Sequence, residues 1–244
     1  MKIYLCGQKQ FGADVLRTVL ALGHSVAGVS APLLASDSKS YDRTRAEAIT
    51  RQIPVLPSGS LRADTLPAGV DLIIAAHSHD FIGRATRLKA KYGAIGYHPS
   101  LLPLYRGRDA VRWQIKLGER VSGGSVYWLS DNMDGGDIAA QEHVFVNPKD
   151  TPESLWRERL FPLGIKLFTR VLSDLSRGVM VSIPQDNALS TWFPSMERPP
   201  VYRPDLPQIG AIAGMTVVRN DEQREGIALA GWLSTEMKSV NQPA

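Results

Sequence analysis

A mostly parallel α/β sheet, doubly wound with helices on both faces, is the architecture this sequence predicts, and three observations carry that reading. Short apolar runs alternate with amphipathic or charged runs of helical length through much of the chain. That order gives parallel strands joined by helices. Leu72-Ile73-Ile74-Ala75-Ala76 is apolar without interruption, as a strand covered on both faces must be. Later, two longer strand-like runs flank a single acidic, glycine-rich turn, which predicts a hairpin in place of another crossover.

Ile3 to Cys6 opens the sheet as a short buried strand. Gly7 to Gly12 reads as a tight turn into a helix over Asp14 to Leu22, with Val15, Leu16, Val19 and Leu20 on one face. Gly23 stops that helix, and Ser25 to Ser30 makes the second strand. Tyr41-Asp42 opens a charged helix through Ile49, and Ile53 to Leu56 returns as a strand. After Leu72–Ala76 come a basic helix over Arg84 to Tyr92, a strand over Ala94 to Tyr97 and a helix over Asp109 to Leu117. Gly124 to Leu129 and Ile138 to Val146 form the hairpin. Thr151-Pro152-Glu153-Ser154 starts a helix with proline at its first position. It is expected to reach about Ser176 with a kink near Pro162, where a backbone donor is missing. Pro184 to Pro207 is rich in proline and is expected to wrap the surface, and Gly210 to Ala244 is a tail of weak pattern. The chain therefore reads as one domain over residues 1–205 with an extension of unassigned role over 206–244. In such a sheet, ligands bind beyond the carboxyl ends of the strands, and His98 lies just past one of them.

At 244 residues and 43% hydrophobic content the chain can bury one large core. No apolar run approaches the length that spans a bilayer, so no membrane partner is expected. The opening, Met1-Lys2-Ile3-Tyr4-Leu5-Cys6, enters a strand without a charged leader and apolar core. A single cysteine rules out an internal disulfide. Both features point to the cytoplasm, with Cys6 a buried, inert thiol. A net charge of +4 suits an anionic ligand only weakly, because modest charge is also an ordinary solubility feature.

The chemistry concentrates in two turns. Tyr97-His98-Pro99-Ser100-Leu101-Leu102-Pro103-Leu104-Tyr105-Arg106-Gly107 sets an imidazole at a strand end, before a loop stiffened by two prolines. Asp131-Asn132-Met133-Asp134-Gly135-Gly136-Asp137 puts carboxylates where the backbone can approach a ligand closely. A histidine and an aspartate held in this way can move a proton during an addition, or stabilise a tetrahedral oxyanion. His98 and Asp134 are the candidate catalytic pair, while Asp131 and Asp137 read as turn formers. A lone histidine at a strand end, or an aspartate before glycines, is more often structural; the pairing of the two motifs reverses those odds. Arg106, Arg108 and Arg112 could clamp a phosphate or carboxylate bidentately, or simply be a solvated helix start. Ser100 in the same loop, and Gln8 and Lys9 in the first turn, are further candidate substrate contacts. His77, His79 and Asp80 follow the central strand and could suit a metal, but histidines at a cleft more often donate hydrogen bonds, and no metal is expected.

His-Pro-Ser-Leu-Leu-Pro followed by Arg-Gly, then Met-Asp-Gly-Gly-Asp-Ile, resembles the folate-dependent formyltransferases. That group includes methionyl-tRNA formyltransferase, glycinamide ribonucleotide formyltransferase, sugar N-formyltransferases and the hydrolase domain of 10-formyltetrahydrofolate dehydrogenase. The resemblance runs from Met1 to about Ile183, and Arg159 to Lys166 together with Tyr97 is most similar to the hydrolase domain. It implies a Rossmann-like formyltransferase fold, 10-formyltetrahydrofolate as co-substrate, and transfer of its formyl group to an amine. It also implies that His98 and Asp134 handle the proton and the oxyanion. Folate contacts are implied for His77, Ser78, His79, Asp80 and Phe81, and for Ile95, Asn132, Met133, Gly135 and Gly136. A small-molecule amine is the expected acceptor; tRNA is less favoured, since the tail after Pro207 looks too short for a barrel domain. The chain departs from the family at Gly96, where the transferases usually carry an asparagine that polarises the formyl oxygen. Water or a backbone amide could substitute there, or the acceptor could supply the group. Otherwise the chain is a 10-formyltetrahydrofolate hydrolase or a non-catalytic folate-binding protein.

Overall fold

The structure, a computed structural model, describes residues 1–34, 40–78 and 80–197. Its main unit comprises Met1–Arg106 and Ala110–Thr191. Seven strands build one sheet: β1 (Lys2–Gly7), β2 (Ser25–Ala31), β3 (Val55–Pro57), β4 (Leu72–Ala76), β5 (Ala94–His98), β6 (Val121–Trp128) and β7 (Ile138–Phe145). Their order is β3-β2-β1-β4-β5-β6-β7. β1 to β5 pair in parallel, and β6 then runs antiparallel to β5 and to β7. The mostly parallel sheet and the late hairpin are therefore as the sequence predicts.

Side-chain alternation divides the core. Ile3, Leu5, Leu72, Ile74 and Ala76 point to the face covered by α1 (Lys9–Ala21) and by α6 (Phe161–Ser176) with Leu167, Phe168 and Leu172. Tyr4, Cys6 and Ile73 point to the other face, beneath Leu61, Leu66, Val70 and Ile82. Burial pushes the Cys6 thiol far above the range in which it reacts.

The helices differ from expectation in two places, the start of α1 and the length of the third helix. α1 begins at Lys9 rather than Asp14, because Gly12 N–H already closes on the Gln8 carbonyl. Its first turn is packed tightly, since a Cβ on Gly12 would stand only 3.2 Å from the Gly7 Cα. α2 (Arg43–Thr50) is capped by the buried Asp42 carboxylate, which takes Thr44 N–H at 2.9 Å. The helix expected over Arg84 to Tyr92 is a single turn, α3 (Arg84–Arg87). The amides that would have continued it are used elsewhere: Lys91 N–H donates to the Val70 carbonyl and Tyr92 N–H to that of Asp71, just before β4. α4 (Ala110–Lys116) follows the histidine loop.

α5 (Pro152–Leu155) starts at a Thr151–Ser154 capping box. It passes through a π-helical turn over Trp156–Leu160 before α6. Pro162 lies just beyond that turn, and its missing N–H fits a change of hydrogen-bond pattern at the place where the sequence predicts a kink. Tyr97 O–H donates to the Leu160 carbonyl at 2.7 Å, so the π turn is anchored from β5.

The second unit includes, among the described residues, Gly107–Asp109 and residues 192–197. Within it, Arg108 N–H donates to the Phe193 carbonyl, and the Asp109 carboxylate accepts from Met196 N–H at 2.8 Å and Ser195 O–H at 3.1 Å. The expected boundary at residue 206 and the tail beyond it lie outside the described residues.

Candidate active site

His98 ends β5 and pairs across the sheet with Ser125, two places along from the Gly96–Tyr127 pair. Gly96 and His98 therefore address the same face of the sheet, and Ile95 and Tyr97 the opposite one. The loop after His98 is tied from within. Ser100 O–H donates to the Leu104 carbonyl at 2.6 Å, Ser125 O–H donates to the Ser100 carbonyl at 2.7 Å, and Leu102 N–H donates back to Ser125 Oγ at 3.1 Å. Its three leucines differ in burial: Leu102 is buried against Tyr127 and Ile138, Leu101 is half-buried and Leu104 is exposed.

This loop fixes the tautomer of His98. The Tyr105 carbonyl lies 2.6 Å from His98 Nε2, and a carbonyl can only accept, so Nε2 carries a hydrogen. Tyr105 reaches that position with φ at 61°, which is uncommon for a bulky residue and marks a constrained site. Its amide donates to Thr191 Oγ1 at 2.8 Å, and its hydroxyl donates to Glu119. Nδ1 is thereby the nitrogen left for proton exchange, and it faces Asp134 Oδ2 at 3.7 Å. The two side chains are only 9% and 13% exposed, so their interaction is weakly screened.

Asp134 also has left-handed backbone, with φ at 50°; aspartate tolerates this better than most residues. Tyr127 O–H donates to Asp134 Oδ1 at 2.6 Å. Gln185 holds the turn by donating to the carbonyls of Asp134 and Gly136 at 2.8 and 2.6 Å. Gly136 is required for closeness: a Cβ there would collide with the Trp128 carbonyl. The same Gln185 accepts from Arg106, whose guanidinium also donates to Asn187 Oδ1 at 2.9 Å.

The remaining candidates sit as follows. His77 takes left-handed backbone at φ 57° with its ring in an edge contact with Trp156, and Ser78 Oγ supports the loop by accepting from Asp80 N–H at 3.0 Å. His79 lies outside the described residues. Asp80 accepts from Gly59 N–H at 2.8 Å, and Phe81 is 83% exposed. Arg87 and Arg84 pair with Asp131, which ties the Phe81 loop to the turn carrying Asn132, Met133, Gly135 and Gly136. Ile95 is fully buried in the core, so only its backbone could meet a ligand. Ser100 is fully buried, with its hydroxyl committed to the loop. Lys9 N–H donates to Asp42 Oδ2 at 2.8 Å; at the start of α1 the chain's own carboxylate thus takes a place that an anion could have filled. Gln8 is half-buried, Arg112 is half-buried on α4, and Arg108 belongs to the second unit. Among the described residues, no group of three or more His, Cys, Asp or Glu is arranged to hold a metal ion. No described helix is long and apolar enough to cross a membrane. Sequence reasoning missed Tyr127, Gln185 and the role of the Tyr105 carbonyl, since none of the three carries a motif of its own.

Residues 58–172 match the family described as formyl transferase. The cytosolic 10-formyltetrahydrofolate dehydrogenase of Xenopus laevis is 31% identical over 208 residues, which cover 81% of this chain and 23% of that protein. The methionyl-tRNA formyltransferase of Halalkalibacterium halodurans is 30% identical over 207 residues, 81% of this chain and 65% of that protein. The chain thus spans less than a quarter of the dehydrogenases it matches. Among solved structures, the N-formyltransferase from Helicobacter canadensis, in complex with folinic acid and dTDP-3-aminofucose, aligns with a TM-score of 0.66 at 20% identity. That alignment covers 80% of this chain and 71% of that one. Glycinamide ribonucleotide transformylase 1 from Symbiobacterium toebii aligns with a TM-score of 0.60 at 20% identity, over 76% of this chain and 94% of that one. At such identities the structural likeness speaks for the fold, and in sequence it is residues 58–172 that resemble the formyl transferase family.

Proposed function

We propose that the chain moves the formyl group of 10-formyltetrahydrofolate to an amine of a small molecule, with His98 and Asp134 as the catalytic pair. One observation carries this reading: Nε2 of His98 is tied to the Tyr105 carbonyl, and Nδ1 faces Asp134 Oδ2 at 3.7 Å in a largely buried setting. In the reaction the amine nitrogen bonds to the formyl carbon, and the carbonyl electron pair moves to oxygen. The amine sheds a proton to His98 Nδ1, and the C–N bond to the folate breaks as N10 regains a proton. His98, once charged beside Asp134, stabilises the oxyanion electrostatically.

The residues fit the folate. A pterin with its attached aromatic ring wants flat apolar contact and backbone hydrogen bonds. Phe81 and Met133 are 83% and 65% exposed, on the two segments that Arg87 and Asp131 tie together, and the Gly135-Gly136 backbone adjoins them. For the acceptor, Arg106 is the favoured contact. Among the described residues its guanidinium meets only the amide oxygens of Gln185 and Asn187, so its charge remains for a phosphate or carboxylate. Arg112, Gln8 and Lys9 remain secondary candidates, whereas Ser100 is fully buried with its hydroxyl committed to the loop.

Gly96 favours a second reading, with water as acceptor. The space beside it is filled by Leu129 and the Tyr127 ring, and neither offers an amide donor to the formyl oxygen. The test is to incubate the chain with 10-formyltetrahydrofolate, with and without amines that carry a phosphate or carboxylate. Tetrahydrofolate and the formyl product are then identified. An N-formyl amine supports transfer, formate alone supports hydrolysis, and no tetrahydrofolate under any condition overturns both.

A further inference from the structure

We propose that Tyr127 is a positioning residue of this site, its hydroxyl fixing one oxygen of Asp134 so that the other is aimed at His98. The inference rests on the formyl-transfer reading for its effect on rate, but its geometry stands apart from that reading.

The space for Tyr127 comes from Gly96. The two residues pair across β5 and β6, and a Cβ on Gly96 would lie 3.3 Å from Tyr127 Cε1 and 3.1 Å from Leu129 Cδ2. The tyrosine ring therefore lies where a side chain at position 96 would begin. The ring is buried, with Tyr127 only 7% exposed. At the far end of the ring, the hydroxyl meets Asp134 Oδ1 at 2.6 Å, within the short range of O–H···O⁻ bonds. A carboxylate only accepts, so the phenol must donate. It remains a donor throughout the working range, because burial, and then the adjacent Asp134 charge, hold its ionisation well above the usual tyrosine value.

The bond from Tyr127 engages the side chain of Asp134. That residue sits on a left-handed backbone in a turn of Met, Asp and Gly residues, and Gln185 holds that turn only through main-chain carbonyls. Nothing in that backbone support sets the side-chain torsions. Pinning Oδ1 leaves Oδ2 as the oxygen that faces His98 Nδ1. Misplacing a reacting group by about 1 Å can cost about 10²-fold in rate, so a hydroxyl remote from the reacting atoms can still govern turnover.

Tyr127→Phe keeps the ring against Gly96 and removes only the hydroxyl. The expected result is a fall in kcat for tetrahydrofolate formation of about 10- to 10²-fold, with KM for 10-formyltetrahydrofolate little changed. Introduced into Asp134→Asn, the same change should add little further loss, since the oxygen it aims is already gone. Equal losses in both backgrounds, or wild-type kcat in Tyr127→Phe, would overturn the proposal. A readout independent of turnover separates it from the functional reading: the Tyr127 Cζ resonance in carbon NMR, assigned through Tyr127→Phe. It should move in Asp134→Asn, and an unmoved resonance overturns the contact. A wild type that turns over with neither amine nor water would sink formyl transfer itself, and the Cζ shift would then decide the contact alone.

Discussion

Two buried histidines show how differently a fold can treat the same side chain. His98 has its Nε2 hydrogen held by the Tyr105 carbonyl and its Nδ1 turned to a carboxylate. His24 has Nδ1 beside the Met1 amino group at 3.4 Å, and among the described residues its Nε2 has no hydrogen-bond partner. Burial, followed by the Met1 charge, lowers the His24 pKa below its ordinary value. The unfolded chain therefore takes up this proton more readily than the folded one, and stability from this residue falls as pH drops through about 6.5. Thermal unfolding followed from about pH 7.5 to 5.5 should show a declining midpoint that flattens in His24→Gln; an identical slope in the variant would exclude His24 as the cause. Legibility at this scale follows chemistry. His98 and Asp134 can be picked out because they sit in motifs, whereas Tyr127 cannot. An aromatic on a strand reads as packing, and its partner lies in a turn whose folding back no local pattern records.

Among the elements, caps and strand-end loops decide where the site can form. The Asp42 carboxylate accepts from Thr44 N–H at the start of α2 and from Lys9 N–H at the start of α1. One buried side chain thus serves two helix starts, and α1 packs directly on α6 and β1. Asp42→Ala should cost about 1–3 kcal/mol, because a buried donor on Thr44 and a half-buried one on Lys9 lose their acceptor. Chemical denaturation should show a lower midpoint at unchanged slope; a loss below about 0.5 kcal/mol would mean that other groups take over both donors. Elements with local signals are readable: the Thr151 start, the Leu72–Ala76 strand and the hairpin. α3 is not. Arg84 to Tyr92 has a helical composition, but the amides of Lys91 and Tyr92 go to the approach of β4, a tertiary competition that periodicity does not register. Asp42 is visible as a helix opener, yet its second hydrogen bond spans 33 residues of sequence and leaves no trace there.

Over the whole molecule, chemistry follows topology. Parallel strands bring β5 beside the central β4, and the reversal into β6 sets Gly96 opposite Tyr127 and His98 opposite Ser125. The acidic turn after β6 then folds back until Asp134 meets His98. Alternating strand and helix signals make the sheet legible from the order of residues alone, whereas the convergence of residues 98, 127, 134 and 185 is a product of the fold. The account's central claim is that His98 is where the proton goes. Its most direct test is the rate of tetrahydrofolate formation from 10-formyltetrahydrofolate, compared between His98→Ala and Arg112→Ala under the conditions that give the wild type its highest turnover. The account predicts that His98→Ala loses about 10²–10⁴-fold in kcat while Arg112→Ala stays within about tenfold of the wild type. Equal losses in the two variants, or a His98→Ala enzyme that keeps its rate, would contradict it.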